Sequence, residues 1–163
     1  MRATTAILEG LKMGEMVSLA YLDDLTDAEM LQRPCAGANH INWQIGHLLK
    51  SEHDMIGTIV PGSMSPLPAG FSERYSNEHA NCDDPKQLCT KAELMAIYQQ
   101  VRPATSQALA GLSDADLDKA SPERFQAYAP TFASLFSMQG SHWLMHAGQW
   151  AVVRRQLGRK PIF

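Results

Sequence analysis

The stretch "HINWQIGHLLKSEHDMIGTIV", residues 40–60, decides the fold class. Ile41, Ile45, Leu48, Met55, Ile56 and Ile59 recur every three or four residues. That spacing lays them along one side of an α-helix, and Pro61-Gly62 stops it. Asn39 is the expected N-cap. A polar edge carrying Trp43, Gln44, His47, Ser51 and Asp54 runs beside the apolar stripe.

Working outward, Ile7, Leu8, Leu11, Met16, Leu19, Ala20 and Leu22 give an earlier helix the same period from Thr4 to Leu22. Pro34 and Gly37 interrupt the chain between the two. After Pro61, residues 61–85 carry four prolines and two glycines, a connection longer than compact domains ordinarily use without purpose. It reads as a lid over a site or as a long crossover. Asp84-Pro85 is the expected start of a third helix, with a kink at Pro103 and an end near Gly111. A second irregular connection, with one short turn at 114–117, leads to Thr131, the expected cap of a last helix that reaches Leu157. No period-two alternation is long enough for a sheet. The expected fold is all-α: four helices with long connections, a bundle in one domain spanning residues 1–163.

The chain has 163 residues, 45% of them apolar and 19% charged, which suits a globular protein built round one core. Fourteen basic residues against seventeen acidic give a net charge of −3, and no basic run exceeds Arg154-Arg155. Nucleic acid is therefore not an expected partner. No apolar run reaches spanning length and no signal core opens the chain, so the expected setting is cytoplasmic, with no membrane partner. Cys35, Cys82 and Cys89 are odd in number and form no C-x-x-C, which points to reduced structural thiols.

Chemistry concentrates in "SHWLMHAGQW", residues 141–150. His142 and His146 are four apart, so both rings project from one helix face and can converge on one point. They make half a metal site. His47, on the polar edge of the second helix, is the third ligand candidate, and bundles commonly assemble metal sites from facing helices. Three histidines with an open fourth position would match catalytic sites, and zinc, nickel and iron all accept imidazole. Spacing alone leaves two readings open, a metal site and a set of core histidines. His40 and His53 read as surface residues, and His79 as a residue of the lid. HExxH and paired E-x-x-H motifs are absent.

The segments "INWQIGHLLKSEHDM" and "HWLMHAGQWAVVRRQLGRKP", with "LTDAEMLQRP", "LPAGFSERY" and "LAGLSDADLDK", resemble the DinB/YfiT-like family of metal-dependent proteins. The resemblance implies a four-helix bundle of up-down-down-up topology with a divalent transition metal on His47, His142 and His146. It also implies a homodimer, a role for Gln149 beside the ligands, and close helix packing at Gly148. Some members are metal-dependent thiol transferases or isomerases, which implies a small-molecule substrate, a low-molecular-weight thiol among them, or a hydrolase using the same metal. Asp54, Glu78 and His79 are the candidates for a general base, Asp54 alternatively orienting an imidazole. Two other functions fit the sequence. One is a non-catalytic stress-response protein that binds a metal or small molecule. The other is an interaction protein that dimerises through Met13, Met16, Trp150 or Phe163.

Overall fold

The computed structural model describes residues 2–163 and is all-α, with no strand among the described residues. Four long helices carry the core: α1 (Ala3–Leu22), α2 (Ile41–Ile59), α3 (Lys91–Ala110) and α4 (Phe132–Gln156). α1 packs on α4 and α3, and α2 packs on the same two helices. The connections are ordered by short turns at Phe71–Arg74, Asn77–His79, Pro85–Gln87, Asp114–Leu117 and Glu123–Gln126.

Helix starts follow side-chain chemistry, and two differ from expectation. α2 is capped by His40 rather than Asn39: its Nδ1 accepts from the Trp43 N–H at 3.0 Å. Using Nδ1 as the acceptor leaves the proton on Nε2, which donates to the Cys82 carbonyl at 2.9 Å. Both ring nitrogens are satisfied, so His40 is fully buried and not on the surface. The Asp84-Pro85 signal is spent on the single turn Pro85–Gln87, where Asp84 caps the Lys86 N–H. α3 starts later, at a reciprocal cap in which Thr90 and Glu93 satisfy each other's backbone N–H groups. Pro103 lies within α3, which continues to Ala110. Thr131 caps α4 as expected, in the same reciprocal way with Ser134.

The interior is not one apolar core but two, separated by a polar layer. One cluster gathers Leu22, Leu48, Leu94, Tyr98, Trp143 and Trp150; the other gathers Leu11, Ile56, Leu109, Leu135 and Phe136. Between them lie Ser18 of α1, Glu52 of α2, Arg102 and Thr105 of α3 and Gln139 of α4, all buried. Arg102 Nη2 is 2.9 Å from Glu52 Oε2, and the guanidinium lies over the Trp143 ring. Glu52 also accepts from the Thr105 hydroxyl at 2.7 Å and the Trp143 indole N–H at 3.1 Å. Burial pushes the Glu52 carboxyl above its usual range, and the Arg102 charge opposes that shift.

Close helix approach occurs at glycines other than the expected one. A Cβ on Gly14 would lie 2.7 Å from the Gly140 carbonyl oxygen, so α1 and α4 touch backbone to backbone there. Gly148 is exposed with nothing within 4 Å, because it lies on the outer side of α4. Of the four residues that an interaction surface would use, Trp150 is fully buried in the core, whereas Met13, Met16 and Phe163 are exposed.

Candidate metal centre

His47 comes from the middle of α2, and His142 and His146 come from successive turns of α4, which packs against α2. One ligand atom from each lies within 4.8 Å of the others. Two metal–nitrogen bonds of the usual length at a tetrahedral angle span about 3.3 Å, so small ring rotations complete the geometry. The structure brings all three of these sequence-chosen histidines together.

Each ring is held differently. Trp43, one turn before His47, stacks flat on it with centroids 5.0 Å apart and planes 9° from parallel. His146 donates from Nδ1 to Gln44 Oε1 at 3.0 Å, and that oxygen also accepts from the Trp150 indole N–H at 2.7 Å. Gln44 Nε2 in turn donates to the Asn39 carbonyl at 2.6 Å and to Gln149 Oε1 at 2.9 Å. Two donors on the oxygen and two acceptors on the nitrogen fix the amide's orientation. The proton on His146 is thereby fixed on Nδ1, leaving the Nε2 lone pair for a metal. Gln149 acts one step removed, on Gln44 and not on a ligand ring.

The surroundings also set the charge state. Burial and the neighbouring His47 lower the His142 pKa to about 4; burial and the other two rings lower His146 to about 4. His47 is lowered by burial and then by Lys50. Three neutral imidazoles are what a divalent cation requires, so the donor set fits a metal.

The site opens on two cavities that share His47. One, of about 590 Å³, runs along α2 to Arg124 and is roofed by residues 75–78 of the long connection. The other, of about 520 Å³, is bordered by Met55, Tyr128, Met138, His142 and Met145. The roof is bolted to α2 and does not form a loose flap. Trp43 donates to the Ser76 carbonyl at 3.1 Å, the Tyr75 hydroxyl donates to Asn42 at 3.0 Å, and the Cys89 N–H donates to the Tyr75 hydroxyl at 2.9 Å. The Tyr75 ring presses on Gly46, where a Cβ would lie 2.1 Å from it.

Among the remaining candidates, Asp54 pairs with Lys50 at 2.7 Å and faces His53 Nδ1 at 3.2 Å, so it orients no ligand imidazole. It lies seven residues along α2 from His47, about 10 Å at a rise of 1.5 Å per residue. His53 is not a free surface residue: its Nε2 reaches the Ser65 carbonyl at 3.0 Å and it is half-buried beneath the connection. Glu78 is held below the usual carboxylate range by a hydrogen bond from Ser76, which weakens it as a base. His79 is exposed and faces the Ser76 hydroxyl at 3.2 Å. Sequence reasoning missed the task of Gln44 and the presence of Arg124 at the cavity's far end. Gln44 was visible as a polar residue beside His47, but only the fold shows that it meets His146.

Two predictions follow from this geometry. Gln44→Leu strips the acceptor from His146 and Trp150 and is expected to lower metal affinity by about 10- to 100-fold, with Gln44→Glu restoring most of it. Competition titration with a chromophoric chelator measures both. The second concerns pH. The three histidines bind protons near their ordinary pKa of 6.5 when unfolded, and only at lower pH when folded. The unfolded chain thus holds more protons in that interval, and stability falls as the solution is acidified. The melting temperature of metal-free protein is expected to decline from pH 6.5 toward pH 4, and less steeply in a His142→Gln variant.

A family model described as the DinB superfamily matches residues 11–150. No curated protein matches the chain. Among the described residues, no helix is long and apolar enough to cross a membrane.

Proposed function

The chain belongs to the DinB superfamily, and from that premise we propose that it is a metal-dependent enzyme working through His47, His142 and His146. The reading takes the four long helices as an up-down-down-up bundle in a single domain. The observation that carries it is a set of three neutral imidazoles, converging from two helices, of which His47 and His142 border a cavity large enough for a small molecule.

A divalent metal such as zinc, nickel or iron supplies, when bound there, a Lewis acid that lowers the pKa of a thiol or water. The chain's own residues do the rest. Gln44 holds His146 in the ligating tautomer, Trp43 fixes the plane of His47, and Met55, Met138 and Met145 keep one wall dry. Among the described residues no carboxylate joins the histidine cluster, so a thiol's proton would pass to solvent. This favours a transferase that uses a low-molecular-weight thiol over a hydrolase, since a hydrolase gains more from a nearby base to orient water. The cytoplasmic setting and a homodimer belong to the same reading; exposed Met13 and Met16 on α1 support the second.

The test is tag-free protein loaded with zinc, nickel or iron in turn, then mixed with a small thiol and an electrophilic acceptor while thiol consumption is followed. Metal-dependent consumption that disappears with chelation supports the transferase. Stoichiometric metal without turnover supports the non-catalytic binding protein.

A further inference from the structure

The larger cavity has a direction. His47, Ser51, Met55 and Thr58 border it at intervals of four, four and three residues, the successive positions of one helix face. It is therefore a trough along α2, with His47 of the triad at one end. Thr58 lies eleven residues beyond His47, about 16 Å at the helical rise of 1.5 Å per residue. At that far end the Arg124 guanidinium donates from Nη2 to the Thr58 hydroxyl at 2.9 Å and lies 4.6 Å from the centroid of the Phe125 ring. These two contacts hold the planar fork in place before any ligand arrives.

The charges in the trough are unequal in availability. Lys50 is 2.7 Å from Asp54, so each neutralises the other. Among the described residues no carboxylate lies within ion-pair distance of Arg124, which is exposed and borders the cavity. One guanidinium fork matches a single carboxylate, and Glu78 on the same wall repels a doubly charged phosphate more strongly than a singly charged carboxylate.

We propose that Arg124 reads a terminal carboxylate on an extended substrate whose other end reaches the metal centre, the two ends lying on the order of 15 Å apart. The inference rests on the metal-centre reading and adds the substrate class. A compact acid cannot span the trough, so recognition at Arg124 appears only in molecules of sufficient length.

The probe is N-acetyl-Cys-Ser-Gly-Gly as the free acid and as the C-terminal amide, whose four residues extend over about 13 Å. Dissociation constants are measured calorimetrically on zinc-loaded protein, with the Arg124 Nε–H resonance followed by NMR. The free acid is expected to bind about five-fold more tightly than the amide at low salt, and to shift that resonance where the amide does not. Arg124→Gln is expected to bind both forms as wild type binds the amide. N-acetylcysteine and its amide, too short to bridge, leave the resonance unmoved. His142→Ala weakens both tetrapeptides alike yet keeps the Arg124 shift with the acid, so a failure of the metal centre is distinguished from a failure of carboxylate recognition. Equal binding of acid and amide to wild type, or a preference that survives Arg124→Gln, overturns the proposal.

Discussion

Alanine at any one of His47, His142 or His146 is expected to weaken zinc binding by more than about a hundredfold while leaving helical content unchanged. Structural zinc sites with four ligands are bound by about 10–16 kcal/mol, roughly 3 kcal/mol per ligand, and two orders of magnitude follow from losing one. The loss should be similar at all three positions, because the donors converge on one point and, among the described residues, no fourth His, Cys, Asp or Glu joins them in the cluster. The fold survives because the apolar clusters are built from other side chains. His53→Ala and His79→Ala are the controls, since both residues lie outside the cluster, and neither should change zinc affinity. Dialysis against a competing chelator, with circular dichroism in parallel, reads both effects.

The largest expected effect on stability lies in the polar layer. Arg102→Met removes the only cation that, among the described residues, contacts Glu52, which is 1% exposed, and should cost about 3–5 kcal/mol near neutral pH. Denaturant titration measures this. Part of the loss should be recovered on mild acidification, because an unpaired buried Glu52 takes up a proton rather than remain charged. Removing both charges at once, in Glu52→Leu with Arg102→Met, should restore much of the stability, since an apolar pair of similar volume leaves no charge stranded. Trp143 would then lose its indole acceptor. Trp143 follows His142 directly, so the double variant is also expected to bind zinc more weakly than its stability alone would suggest.

That layer marks where sequence reading reached its limit. The long helices were legible because their apolar residues keep a 3.6-residue period and because Thr131 caps in the ordinary way. Glu52 was legible in principle: it stands midway in the stripe Leu48, Glu52, Ile56, where a solvated side chain has no place. Its partner was not, because Arg102 precedes Pro103 in a helix whose pattern is weaker and whose register depends on tertiary packing. His40 was misplaced because a histidine beside an N-cap signal looks solvated, and only its bond to Cys82, forty-two residues away, explains its burial.

The candidate site shows the same division. His142 and His146 announced themselves by local spacing, and local geometry is what sequence encodes most directly. His47 required the packing of α2 against α4, and Gln44 required knowing that its amide points at His146 across that interface. Gly148 failed for the opposite reason. A glycine two residues after a ligand looks like a close approach, but the helices touch at Gly14 and Gly140 on a different face of α4.

The most direct test of the central claim is X-ray absorption spectroscopy on tag-free protein reconstituted with zinc. The account predicts one zinc per chain bound by three imidazole nitrogens at about 2.0–2.1 Å, with one further ligand that a small thiol replaces by sulfur at about 2.3 Å. Failure to take up stoichiometric zinc, or a first shell without three imidazoles, would contradict it and return His47, His142 and His146 to the protein core.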